Sequence, residues 1–245
     1  MTMSAVQERT LSSSCFENKS LLNHLEDLRH TLLVIGGTIV TFFLLIMFIW
    51  PDGSLMLATS PLKEKGIELI YLGLGDVLYV QLKLNLLLAI VLSVPIIVWQ
   101  LWSFAKPGLY PKEQRRLIVW SVVAVLLFGI GAVFGYYSVF LLALSFFVYT
   151  GQSFALPILS VEQYSSFLLS FVLASGLIFE LPLFCFIMAE LGIITAKTLR
   201  SLRKFFILGA FIVSALLTPT DVLSQILMAI PMLLLYEVSI FLIGK

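Results

Sequence analysis

Charge is what this sequence has least of. Lysine and arginine together number 15 and aspartate and glutamate 14 among 245 residues, 12% of the chain, against 60% hydrophobic residues. Soluble domains carry about twice that charged share, so a mean hydropathy of +1.06 places the chain in lipid rather than in water. The net charge of +1 gives no basic balance for binding nucleic acid. Cysteine occurs twice, as Cys15 in a polar stretch and Cys185 inside an apolar run, and two such segments cannot meet to form a disulfide. The only histidines, His24 and His30, have no cysteine pair beside them, so no metal-ligand spacing exists. Neither a glycine-rich phosphate loop nor a nucleophile elbow is present. These absences argue against an enzyme and give no reason to expect a cofactor. The first residues, MTMSAVQERTLSSS, also lack the apolar core of a secretory signal.

What the chain does have is six apolar runs, at about 31–50, 77–102, 117–142, 166–190, 203–217 and 223–243. Four reach the roughly 20 residues that cross a bilayer as helix, and their unbroken apolarity leaves no alternation for a β-barrel. The last two are shorter and read as a tight helical hairpin around Thr218–Leu223, with Pro219 and Asp221 as its turn residues. The expected fold is therefore all-α, a polytopic membrane protein with six transmembrane helices of which the last two are short. Residues 1–19 show no hydrophobic period and read as a disordered cytoplasmic tail, leaving 20–245 as a single membrane domain. No internal repeat supports the inverted design of many transporters.

Orientation follows from the cations. With the N-terminus inside, twelve of the fifteen lysines and arginines fall on the cytoplasmic side, and only Lys63, Lys65 and Lys83 lie on or near the outer side. The positive-inside rule then gives N-in and C-in. The outer segments 51–76 and 143–165 form an extracytoplasmic cap, with a turn at Ser60-Pro61-Leu62.

Three places carry possible chemistry. Ser20 is a good N-cap for an amphipathic helix whose Leu21, Leu25, Leu28 and Leu32 share one stripe. Such a helix lies on the membrane surface and shows His24, Glu26, Asp27 and Arg29 to the cytoplasm, either as a site or as a solvated face. Between the second and third runs, Pro107-Gly108 enforces a turn and Trp102, Phe104 and Tyr110 surround a lone acid, Glu113. In the fourth run Glu180 stands near mid-membrane beside Pro182, where an ionisable group is costly and marks a functional or helix-pairing site. Gln225 is the expected hydrogen-bond partner of Glu180. Gly131 and Gly135 make a small-xxx-small pair suited to close helix packing.

Taken in order, His24-Leu-Glu-Asp-Leu-Arg29, Ser60-Pro-Leu62, Trp102-Ser-Phe-Ala-Lys-Pro-Gly-Leu-Tyr110, Glu113, Phe179-Glu-Leu-Pro182, Leu217-Thr-Pro-Thr-Asp221 and Ala229-Ile-Pro231 resemble the TatC family, the multi-pass core of the twin-arginine translocase. The resemblance runs from about residue 21 to the end. It implies a concave bundle that binds paired-arginine signal peptides of folded proteins. It also implies TatA-like and TatB-like single-span partners, export driven by the proton motive force, and more than one copy per receptor complex. The location implied is the prokaryotic inner membrane, with the thylakoid as the alternative. By resemblance the arginine pair meets Asp27 and Glu113, with Phe104 as neighbouring aromatic and Pro107 and Arg29 in the same motifs. The family usually reads His-Leu-x-Glu-Leu-Arg. This chain has Asp27 at the acidic position, Glu26 before it as the alternative acid, and Thr31 in place of a basic residue. A proton- or ion-coupled transporter working through Glu180 is the rival reading.

Overall fold

With no water to take their hydrogen bonds, backbone groups in lipid must pair within their own segment, and all six apolar runs become helix. The structure is a computed structural model that describes residues 3–64, 69–73, 75–105, 116–152, 159–217 and 222–244; the side chains of 3–25, 63, 64, 105, 117, 151 and 152 lie outside the description. In chain order the elements are α1 (Met3–Ile49), α2 (Gly53–Glu64), β1 (Leu69–Ile70) and α3 (Asp76–Ala105). The third run is one rod made of α4 (Leu117–Phe134), a π-helical turn (Gly135–Phe140) and α5 (Leu141–Gln152). After β2 (Leu159–Ser160), the fourth run divides at Glu180 into α6 (Val161–Phe179) and α7 (Leu181–Glu190), and α8 (Ala196–Leu217) and α9 (Val222–Ile243) complete the chain.

Among the described residues, five stretches are long and apolar enough to cross a membrane: Glu26–Ile49, Asp76–Phe104, Ile118–Thr150, Val161–Glu190 and Val222–Ile243. The sixth, α8, begins with Lys197, Arg200, Arg203 and Lys204. Its apolar part, Phe205 to Leu217, covers only about 20 Å at about 1.5 Å per residue. Of the two runs expected to be short, α8 is the short one. The 22 residues of α9 extend about 33 Å, because the helix continues through Pro231, which a membrane bundle tolerates when neighbours satisfy the freed backbone.

The N-terminal expectation needs correction. From Met3, α1 runs 47 residues without interruption, so Ser20 starts no helix, and residues 3–19 share the helix in place of an unstructured tail. The sequence contains no glycine or proline before Gly36, and extending a formed helix is far easier than nucleating one.

Pro61 is also corrected: it lies inside α2, not in a turn. A proline there strips the Leu57 carbonyl of its helical donor. That carbonyl instead accepts the Tyr136 hydroxyl at 3.1 Å and Ser60 Oγ at 2.9 Å. Tyr164 donates to the neighbouring Ala58 carbonyl, where both residues are buried. Two tyrosines from the bundle thus hold α2 down. The two segments expected to form a cap also meet directly, as β1 and β2 pair in parallel with Leu69 opposite Leu159 and Ile70 opposite Ser160. Each tyrosine bond contributes about 1 kcal/mol. Tyr136→Phe combined with Tyr164→Phe should therefore speed amide exchange across 53–64 roughly thirtyfold, at 1.4 kcal/mol per decade, while leaving α7 unchanged; an unchanged rate in α2 would remove the tyrosines from the account of the cap.

At the centre α4 lies against α6. A Cβ added to Gly131 would sit 2.7 Å from both Phe179 Cβ and the Ser175 carbonyl, and one on Gly135 only 2.6 Å from Ser175 Cβ. The small-xxx-small reading of this pair holds. The π-helical turn that follows places Gly135, Val139 and Phe140 all on the buried side, and Phe140 and Phe171 are wholly enclosed.

Candidate functional site

The break at Glu180 positions the site. Pro182 occupies the first turn of α7 and cannot donate a backbone hydrogen bond, so α6 ends and α7 starts at Glu180 with no glycine or loop between them. Its carboxylate then faces a groove of about 480 Å³ between α3, α4 and α6–α7. Ile90, Val94, Ile97 and Leu101 supply the α3 wall, Leu177, Phe184 and Ile187 the opposite wall, and Glu180 is the single acid among the lining residues. Among the described residues no hydrogen bond or ion pair engages this carboxylate. Gln225, the expected partner, instead donates to the Phe211 carbonyl at 3.0 Å. That partnership fails because Gln225 stands one turn into α9 and is held against α8, while Glu180 is far along its own span.

One end of the groove closes with aromatics and an ion pair. Trp102 lines it and packs on the buried Trp120 with ring centroids 5.6 Å apart. Arg116 at the start of α4 pairs with Glu190 at the end of α7, tying two spans together at that base. Arg203 and Glu237 form a second pair at 2.7 Å between α8 and α9; half exposed, it contributes at most about 1 kcal/mol. Nothing in the sequence spacing announces either pair, since the partners lie so far apart in the chain.

Around the same base lie the residues singled out in the sequence. Phe104 is half-buried in the last turn of α3. Glu26, Asp27 and Arg29 are all exposed on α1, which packs along α3, and among the described residues none of the three is ion-paired. Both acids are available to a ligand, and exposure does not choose between them. Thr31, where the family pattern has a base, is buried, so the missing cation belongs to the packed side of α1 and not to its free face. Pro107, Glu113, Pro219 and Asp221 lie outside the described residues. Sequence reasoning missed the groove itself, although Trp102 and Glu180 were both noted; the α3 wall reads as ordinary span until a partner helix is laid beside it.

A helical bundle crossing the membrane several times, with an apolar groove holding one acid and with carboxylates exposed on α1, is that of a polytopic helical membrane protein. Residues 23–231 match the family model for the Sec-independent protein translocase protein, TatC, and this chain belongs to that family. It is 38% identical over 223 residues to the TatC of Carboxydothermus hydrogenoformans, covering 91% of each chain, and 39% identical over 235 residues to that of Aquifex aeolicus, covering 92% of this chain and 94% of the other. A crystal structure described as the twin-arginine translocase receptor TatC superposes with a TM-score of 0.82 at 38% identity, covering 90% of this chain and 98% of that one. The family is one of membrane protein translocation, not of catalysis.

Proposed function

We propose that this chain is the receptor subunit of a twin-arginine translocase and binds the paired-arginine signal of folded cargo at the base of the groove. The observation that carries this reading is that exposed carboxylates on α1, which packs along α3, accompany Phe104 and the Trp102 end of the apolar groove on α3. An arginine offers a carboxylate two parallel charge-assisted hydrogen bonds, whereas lysine is a point charge, so Asp27 and Glu113 select arginine. The apolar part of the signal then extends along the groove past Trp102. The base faces the cytoplasm with N-in and C-in, which agrees with the cation count, in the inner membrane of a prokaryote. TatA-like and TatB-like single-span subunits complete the machine, and the exposed apolar faces of α8 and α9, including Phe205, Leu216 and Phe241, suit helix docking. A transporter working through Glu180 is not favoured, since the family membership is that of a translocase.

Pulldown with a twin-arginine peptide and its twin-lysine control tests the reading. Glu113→Gln is expected to reduce capture of the arginine peptide at least tenfold, the loss of one charged hydrogen-bond pair at about 1.5–3 kcal/mol, with insertion intact. Asp27→Asn should act likewise and Glu26→Gln should not. Equal capture of both peptides by the wild type would overturn the receptor assignment, and loss only in Glu26→Gln would move the site to that acid.

A further inference from the structure

Lys83 is the one cation described within the groove-forming length of a span, and the function proposed above does not use it. It lies 19 residues before Trp102 on α3, about 28 Å along the helix axis, close to the full thickness of a hydrocarbon core of about 30 Å. With Trp102 at one boundary, Lys83 stands at the other, the level at which lipid headgroups begin. Its Nζ donates to Ser166 Oγ at 2.7 Å and lies 5.2 Å from the centre of the Tyr79 ring. The Ser166 hydroxyl spends its own hydrogen on the Glu162 carbonyl at 2.8 Å, so it acts toward the ammonium as an acceptor. An ammonium has three donors. Among the described residues Ser166 takes one, and no carboxylate forms an ion pair with Lys83.

Direction matters as much as depth. Ile90, Val94, Ile97 and Leu101 follow Lys83 by 7, 11, 14 and 18 residues, which at about 100° per residue places all four within about 40° of it on the helix. These four are the α3 wall of the groove. On the facing helix Leu177, also a groove residue, follows Ser166 by 11 residues and is in phase with it by the same rule. The Lys83–Ser166 pair therefore heads the groove at the end opposite Trp102. Glu180 lies 14 residues from Ser166, about 21 Å away along the axis, too far to neutralise Lys83.

We propose that Lys83, held in place by Ser166 and the Tyr79 ring, binds the phosphate of an anionic phospholipid whose acyl chain descends into the head of the groove. A cation with unused donors at headgroup level, above an apolar channel, matches an amphiphile with a negative head. Half a hydrocarbon core is about 15 Å, about ten residues of helix, so the chain runs down from Lys83, enters the groove at Ile90, seven residues below, and ends near the level of Val94, short of Glu180. This site rests on the bundle geometry and not on arginine recognition, so the twin-arginine pulldown and the experiment below fail independently.

The test uses the full-length protein in nanodiscs of phosphatidylglycerol carrying a photoreactive diazirine in one acyl chain near the glycerol, with phosphatidylcholine of the same chains as control. Both leaflets contain the probe, so the readout does not depend on orientation in the cell. Mapped by peptide mass, phosphatidylglycerol should label 76–94 and 161–177 about tenfold more than phosphatidylcholine does. Lys83→Gln should abolish that preference and Lys83→Arg should retain it. Equal labelling by the two lipids in the wild type overturns the proposal without any variant, and so does a preference that survives Lys83→Gln; if Lys83→Gln fails to fold, the wild-type comparison and Lys83→Met decide by the same criterion.

Discussion

Gly135→Leu is expected to leave almost no folded protein in detergent, with Gly131→Leu close behind and Gly36→Leu near wild-type yield. The contrast comes from what each added side chain meets. A Cβ on Gly135 would lie 2.6 Å from Ser175 Cβ and 2.8 Å from the Phe171 carbonyl, and one on Gly131 2.7 Å from the Ser175 carbonyl. Two of those obstacles are backbone, which cannot rotate aside, so α4 and α6 would have to separate. Overpacking a core costs about 1–3 kcal/mol when side chains can adjust, and here they cannot. Against a total stability of about 5–15 kcal/mol, leucine at Gly135 takes a large share. Separation would also draw the Tyr136 hydroxyl from the Leu57 carbonyl, coupling this helix pair to the cap. A Cβ on Gly36 meets nothing within 4 Å, which makes it the matched control. Size-exclusion profiles and thermal midpoints of the three variants read the outcome; a Gly135→Leu midpoint equal to wild type would remove close packing as the reason for glycine there.

That pair is legible in the sequence because its signal is local: two glycines four residues apart fall on one helix face whatever lies opposite. The six helices are legible for the same reason, since lipid forbids the alternatives. What sequence reasoning gets wrong is whatever depends on a distant partner. Pro61 beside Ser60 reads as a turn, and only the tyrosines of two other elements, at positions 136 and 164, make a helix tolerable there. Gln225 reads as a partner for Glu180 because both are polar in apolar runs. Their depths decide otherwise, and depth follows from how α8 and α9 pair. Ser20 has the chemistry of an N-cap, but a cap is used only where a helix begins, and α1 has no breaker to begin after. The groove belongs to the same class, since its α3 wall is defined by the helices it faces. The acids of α1 stand out by type and position, and their exposure agrees with a binding role without selecting Asp27 over Glu26.

Glu180→Leu should separate stability from function. With no ionic or hydrogen-bonding partner among the described residues, the carboxylate braces nothing, and it stands half-buried in a groove otherwise apolar. Removing a polar group from such a place is neutral or stabilising when the replacement fills the same volume, so the thermal midpoint of the leucine variant should match or exceed the wild type. A chain selected only for stability would carry leucine here already. On the function proposed above, the acid serves as acceptor for a polar group of the signal segment that enters the groove. Leaving such a group unsatisfied in a buried site costs about 1–3 kcal/mol, a factor of about 5 to 140 at 1.4 kcal/mol per decade. Export of a folded twin-arginine reporter, normalised to protein level, should therefore drop by that factor in Glu180→Leu and by much less in Glu180→Gln, which keeps an acceptor oxygen and adds a donor. Full export by the leucine variant would reduce Glu180 to a by-product of the α6–α7 break. Equal loss in both variants would instead show that the charge is required, not merely the acceptor, and would place the entering group among cations.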